Sequence, residues 1–347
     1  MGVAVRGTLL ALLSALAFGV TTPLVQRIVQ RTGAGPFATA MALYLGAALV
    51  GFATRSRKEP PVTRIHLRRL LAVAVAGAVI APALLAWGLR RTSGTSGSLM
   101  LNLEALFTIA LARLFYKEHV GGRVLGAACI LGAAGVILVF DRVHEGGGVS
   151  VLGLVAVGGA ALGWAFDNAL AKPLSTLDPS QVVGAKGALG ATLSLVLALA
   201  LRDAFPSRLP LLGLVVLGGA GYGASLALYL RAQREIGAGR TASVFASGPF
   251  WGAAIAWLLG EPASPLTVAA ALAMVAGVAL HLTERHSHRH VHTPHDHEHA
   301  HRHDDGHHDH VHDPMPEGEH THPHHHDPKA HVHPHLPDLH HEHSHEH

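Results

Sequence analysis

Twenty-six of the 30 histidines in this 347-residue chain fall after residue 285, where they alternate with Asp, Glu and small residues. Neutral imidazole is a common ligand for divalent transition metals, and in an extended chain residues two apart project to the same side. His286, His288, His290 and His292 therefore form one set of converging ligands, and His295, His297, His299, His301 and His303 form another. His307, His308, His310 and His312 continue the pattern. Such a tract suits Zn, Ni, Co or Cu. Without thiolates or a fixed geometry it should bind many ions loosely and discriminate little among them, and no cofactor is required. Two stretches, His297-Glu-His-Ala-His301 and His341-Glu-His-Ser-His345, match the HExxH pattern of zinc proteases. That pattern needs a stable helix to bring its histidines to one face, and a composition this biased produces it by chance. A passive low-complexity tract and a pH sensor are the alternatives. Protonating 26 histidines with a reference pKa of about 6.5 would turn a segment with a charge balance of −9 strongly positive. A purification tag would be shorter and more uniform.

A second group of candidates lies in apolar surroundings. Glu104 sits near the middle of a long apolar run, with Asn102 two residues before it. A charge there is costly and usually faces a cavity or a partner. Glu104 reads either as a protonatable carboxylate that couples proton or cation movement to a solute, or as a carboxyl hydrogen-bonded to a neighbouring helix. Asp167 and Asn168 lie near the end of one apolar run, and Lys186 lies about one and a half turns into the next. At a rise of about 1.5 Å per residue their depths match, so a hairpin can pair Asp167 with Lys186. The pair is expected to be structural; the sharper alternative is a gate that opens during transport.

These side chains need elements to hold them. Hydrophobic residues make up 49% of the chain and charged ones 14%, and the apolar residues gather in runs. A helix of about 20 residues crosses the hydrocarbon core of a bilayer. Ten such runs occur, near 7–27, 36–53, 69–89, 94–116, 122–140, 151–170, 180–201, 210–230, 239–259 and 265–283. They are too continuous for the alternation of a barrel, so the expected fold is an all-α polytopic membrane protein with ten transmembrane helices. The first run resembles a signal peptide but lacks a convincing cleavage site and reads as the first span. With the N-terminus cytoplasmic, 15 Lys and Arg fall on the inner side and 7 on the outer, which places both termini in the cytoplasm and the protein in the plasma membrane. Residues 1–285 carry 23 Lys and Arg against 11 Asp and Glu, whereas the tail carries 3 against 12. The tail also contains seven prolines and no aromatic residue, too little to offset the entropy of ordering, and is expected to be disordered. Cys129 is the lone cysteine, inside an apolar run, which excludes a disulfide framework and a thiolate cluster. No G-x-S-x-G elbow, phosphate loop or dinucleotide fingerprint is present, so an enzyme is not expected, nor is a nucleic-acid partner.

The chain also repeats itself. Leu114-Phe-Tyr-Lys-Glu118 followed by Leu131-Gly-Ala-Ala-Gly-Val-Ile-Leu138 is echoed by Trp257-Leu-Leu-Gly-Glu261 followed by Ala273-Met-Val-Ala-Gly-Val-Ala-Leu280. Ser14-Ala-Leu-Ala-Phe-Gly19 is likewise echoed by Ala160-Ala-Leu-Gly-Trp-Ala165. Two five-span units, residues 1–143 and 144–285, are implied, with residues 286–347 as tail. An odd number of spans forces the second unit to enter the membrane upside down, the inverted-repeat pattern of secondary transporters. Pro82 interrupts the third span and corresponds to about Gly223 in the eighth, and matched interruptions point to a binding site. Close packing through small residues is the alternative there, as for Gly159-xxx-Gly163. Trp87, Trp164, Tyr229 and Trp251 are candidates either to line a cavity or to anchor span ends at the interface.

On these residues the chain resembles the drug/metabolite transporter superfamily in its EamA branch. The family has a loose Pro-Val-Phe-like element in the fourth span of each repeat, then a Gly-Glu pair, then a Gly-rich fifth span. The corresponding elements are Glu104-Ala-Leu-Phe107 with Lys117-Glu118, and Gly248-Pro249-Phe250 with Gly260-Glu261. The first repeat departs by having Ala105 where proline is usual and Lys117 where glycine is usual. The resemblance covers residues 7–283 and implies two inverted five-helix repeats around a central pathway for a small-molecule or metal-ion substrate. A homodimer is compatible with it.

Overall fold

In lipid every backbone N–H and C=O must find a partner within its own segment, so each apolar run becomes a helix. The computed structural model describes residues 3–56, 60–116, 122–144, 148–174, 177–236, 238–282, 286–291, 295–301, 320–326 and 330–335. Its helices are α1 (Val3–Thr32), α2 (Pro36–Thr54), α3 (Leu67–Ala74), α4 (Ala81–Leu89), α5 (Gly94–Met100), α6 (Leu103–Tyr116), α7 (Gly122–His144), α8 (Gly148–Ala171), α9 (Pro179–Ala200), α10 (Arg208–Gly218), α11 (Ser225–Ile236), α12 (Ala238–Phe245), α13 (Gly248–Leu258) and α14 (Pro265–Leu282). Among the described residues, eight helical segments are long and apolar enough to cross a membrane. They are spans 1 to 8 of the ten predicted. The ninth predicted span is α12 and α13, broken at 246–247, and the tenth is the shorter apolar α14.

Several spans are interrupted, and the interruptions match. A π-helical turn at Val75–Ile80 joins α3 to α4 in span 3, and another at Gly219–Ala224 joins α10 to α11 in span 8, 144 residues on. Span 4 breaks between Met100 and Leu103, and span 9 between Phe245 and Gly248, 145 residues on. Packing repeats as well. Spans 2 and 7 (α2 on α9), spans 5 and 10 (α7 on α14) and spans 4 and 9 (α5 on α13) pack on each other. Spans 1 and 8 (α1 on α11) have spans 6 and 3 (α8 on α4) as their image. Exchanging each span with the one five places away therefore leaves this packing pattern unchanged.

Small residues let the backbones approach. A Cβ added to Gly46 would come within 1.9 Å of the Val215 carbonyl oxygen, and one added to Gly218 within 1.9 Å of that of Leu43. Between apolar helices in lipid, such close van der Waals contact replaces the hydrophobic effect as the attraction.

In the tail, β1 (His286–Val291) pairs antiparallel with β4 (Ala330–His335), and β2 (His295–His301) with β3 (His320–His326). Both ladders share one register, His286 facing His335 and His295 facing His326, so they are two stretches of the same ribbon. Outside these four short segments the tail, which the sequence predicts to be disordered, lies beyond the described residues.

Candidate functional site

The interruption in span 3 creates an acceptor at mid-membrane. In its π turn the Ala81 N–H bonds to the Ala76 carbonyl, five residues back. The next carbonyl, Gly77, would by the same pattern take the N–H of residue 82, and Pro82 has none. Two side chains from other spans take its place: the Tyr44 hydroxyl donates to the Gly77 oxygen, and Trp164 Nε1–H donates to it at 3.0 Å. Gly77 also has to be glycine, because a Cβ there would lie 2.3 Å from Cγ of Asp167.

Asp167 and Lys186 do meet, as the hairpin argument predicts. Lys186 Nζ donates to Asp167 Oδ2 in an ion pair whose side chains are 14% and 8% accessible. The other carboxylate oxygen, Oδ1, is buried without a hydrogen-bond partner. Asn168, the next residue and exposed, donates from Nδ2 to Glu104 Oε1 at 2.9 Å. Glu104 lies in the first turn of α6, immediately after the break, where the amide dipoles favour a negative charge. Asn102 holds that break: its Nδ2 donates to the Leu99 carbonyl at 3.1 Å, and its N–H donates to the same oxygen at 3.0 Å.

Aromatic rings adjoin these groups. Tyr44 and Tyr222 stack with centroids 5.6 Å apart, and Trp164 lies 5.9 Å from Tyr222. Phe18 meets Trp164 at 6.2 Å, Tyr222 at 6.0 Å and Phe245 at 5.4 Å, and Phe245 meets Tyr229 at 5.0 Å. The rings come from spans 1, 2, 6, 8 and 9, so they line the junction of the two halves.

Comparison with known proteins identifies the family of the chain. The EamA-like transporter family matches residues 5–141 and again residues 151–283. The chain belongs to that family. It is a multi-pass membrane transporter of small solutes. An uncharacterized transporter of Methanothermobacter thermautotrophicus is 32% identical over 234 residues, 65% of this chain and 67% of that protein. A crystal structure matches with a TM-score of 0.56 over 79% of this chain and 94% of the other, at 16% identity, a likeness of fold alone.

Within this EamA-family chain the predicted site residues divide. Glu104 meets Asn168, Asp167 meets Lys186, and Trp164 and Asp167 both lie against Gly77, whereas Asn102 bonds to the Leu99 carbonyl. Pro82 is buried and acts through the Gly77 carbonyl. Its predicted partner Gly223 packs against α2, where an added Cβ would lie 2.8 Å from Val50 Cβ, so close helix packing accounts for it. The 144-residue spacing of the π turns also corrects the correspondence: Gly223 matches Val79, and Gly77 matches Gly221. Pro249 occupies the first turn of α13, the place that Glu104 holds in α6. Trp87 stacks under the Arg91 guanidinium, 3.7 Å from ring to Cζ, as an anchor at the end of its span. Trp251 is 38% exposed. Glu261 of the Gly-Glu pair caps α5, accepting from the N–H groups of Gly94 (2.9 Å) and Thr95 (2.8 Å) and from Thr95 Oγ1 (2.9 Å). Its counterpart pair Lys117-Glu118 lies outside the described residues.

Phe18, Tyr44, Tyr222 and Phe245 were not expected from sequence. Phe18 had a signal, because the Ser14–Gly19 echo aligns it with Trp164. Of the tail ligands, His292, His303, His307, His308, His310 and His312 lie outside the described residues. Among the described residues no group of three or more His, Cys, Asp or Glu side chains is gathered to hold a metal ion.

Proposed function

We propose that the protein is an exporter of small solutes that works by alternating access in the plasma membrane, with both termini and the tail in the cytoplasm. The observation that carries this reading is the pairing of Glu104 with Asn168 and of Asp167 with Lys186 beside matched helix interruptions. Broken helices at mid-membrane are where transporters bind solute and coupling ion. Two five-span units of opposite orientation rocking about this site would expose it to each side in turn. Glu104 then serves as the protonatable coupling group.

The tail binds divalent transition metals, as ions that the pathway exports or that regulate it. In its ladders seven histidine pairs face one another, from His286 with His335 to His301 with His320, which supports this reading. A two-stranded ribbon is marginal by itself, so a metal bridging its strands would add the missing stability. The composition of the central site favours a regulatory role for the metal and an organic solute as cargo. Proteoliposome flux separates the two: 63Ni or 65Zn crossing the membrane assigns metal as cargo, and organic flux without metal flux assigns it a regulatory role. Absence of flux for every solute tried, with metal still bound to the tail, would leave a membrane metal store instead.

A further inference from the structure

We propose that the solute carried at the central site is an organic cation, held by the Glu104 carboxylate against the ring faces of Phe18, Trp164 and Tyr222. The proposal rests on the transporter reading and adds to it the chemical class of the cargo.

Local charge decides the sign. Three ionisable side chains gather here, and two of them, Asp167 and Lys186, cancel in a buried pair. Among the described residues the partner of Glu104 is the neutral amide of Asn168. The site therefore carries one uncompensated negative charge when Glu104 is ionised, and in a medium of low dielectric a counter-charge is strongly attracted to it. An anionic solute would need Lys186, which Asp167 already occupies. A bare metal ion would need more ligands than two carboxylates, one of them already paired.

The rings decide the rest. The indole N–H of Trp164 and the hydroxyl of Tyr44 are both consumed by the Gly77 carbonyl. Both are buried, 6% and 4% exposed, so the ring surface open to a solute belongs chiefly to the half-buried Phe18 and Tyr222 packed on them, and a ring face is electronegative and attracts ammonium groups. Asn168 follows Trp164 by four residues on α8, so the two lie on one helix face. That face runs from a ring only 6% exposed to an amide that is open, which leads from the aromatic cluster to the carboxylate.

The repeat shows that the charge is an addition. Aligning the halves places Phe18 opposite Trp164, so both contribute a ring, but it places Thr21 opposite Asp167, Ala42 opposite Lys186 and Pro249 opposite Glu104. At each of these aligned positions only one half is charged: Glu104 comes from the first half, and the Asp167–Lys186 pair from the second. The site is thus a shared aromatic surface with a single anion on one side.

The test is calorimetric binding to the full-length protein in lipid nanodiscs. The probes are choline, its uncharged isostere 3,3-dimethylbutan-1-ol, its anionic counterpart 3,3-dimethylbutanoate, and the larger cation benzyltrimethylammonium. At least one cation should bind tenfold or more tightly than the uncharged isostere. Glu104→Gln should lose at least tenfold in cation affinity, while Glu104→Asp, which keeps the charge, should stay within about threefold of the original. Phe18→Leu should weaken cation binding about three- to tenfold and leave the uncharged isostere unchanged. The butanoate binding more tightly than either cation, neither cation binding, or Glu104→Gln binding cations as well as the original protein would each overturn the proposal. Proteoliposome flux keeps the two readings apart. Flux of some other solute without cation binding refutes the cation and leaves the transporter, whereas cation binding with no flux of any probe refutes the transporter.

Discussion

Lys186→Met should destabilise the protein far more than Lys186→Met combined with Asp167→Asn. The pair's side chains are 14% and 8% accessible, so water cannot replace the lost ammonium. The Gly77 backbone closes off the carboxyl, and Oδ1 already lacks a partner. Removing one member of such a pair costs about 3–5 kcal/mol. An independent route gives a similar size: a stranded carboxyl escapes by taking up a proton, and at pH 7, about three units above the aspartic acid reference value, that uptake costs roughly 4 kcal/mol. The same reasoning gives a pH dependence. The variant's deficit should shrink by roughly 2.7 kcal/mol between pH 7 and pH 5, because the proton comes more cheaply from the more acidic solution. Neutralising both partners removes the cause and should recover most of the loss. Thermal unfolding of the full-length protein, followed by tryptophan fluorescence in detergent at pH 7 and pH 5, measures all three quantities. A single variant as stable as the original, or a double variant less stable than the single, would refute the claim that charge burial dominates here. If the double variant folds but no longer transports, the pair is a gate as well as a support.

Three further outcomes follow from individual contacts. Gly77→Ala places a methyl group where Asp167 Cγ lies 2.3 Å away, and should cost about 1–3 kcal/mol of stability, with part of the loss recovered by Asp167→Ala in the same chain; the melting temperatures of the two variants check it. Glu261→Ala removes the acceptor of two α5 N–H groups and one hydroxyl and should cost about 1–2 kcal/mol, read as a lower melting temperature. Truncation after Arg285 should abolish the bulk of Ni and Zn binding in calorimetry while leaving the melting temperature of the membrane part unchanged. In the full-length protein the same binding should fade as pH falls below about 6.5, since a protonated imidazole cannot ligate.

The all-α polytopic fold could be read from the sequence because lipid makes hydrophobic run length decisive, with eight of the ten expected spans long and apolar enough among the described residues, and the Asp167–Lys186 contact because charges at equal depth on adjacent spans have few other partners. The ring cluster could not. Phe18, Tyr44 and Tyr222 stand 26 and 178 residues apart along the chain, and nothing in a run of apolar residues tells a lipid-facing ring from one facing the other half. The interruption in span 3 was read at Pro82, where the donor is missing, but the helix adjusts one turn earlier, in the π turn at Val75–Ile80. The missing bond is felt at the acceptor it would have served, Gly77. The tail was read as disordered because its composition gives it no core.

The two halves are alike where they pack and differ in the side chains they bring to their junction. Gly77 and Gly221 both let a span-1 or span-6 side chain press against a π turn, and the side chains are Asp167 in one case and Thr21 in the other: a Cβ at Gly221 would lie 2.1 Å from Thr21 Oγ1. Thr21 needs no partner from another span, because its hydroxyl donates to the Ala17 carbonyl of its own helix at 2.8 Å. Asp167 has no such local solution and recruits Lys186 from span 7. A symmetric pair of carboxylates would have placed two like charges across the junction and doubled the burial cost. A symmetric pair of threonines would have left nothing for a charged solute to recognise. Duplication with different side chains at matched positions retains the symmetric packing, while Glu104 from one half and the cancelling Asp167–Lys186 pair from the other give the junction a single polarity.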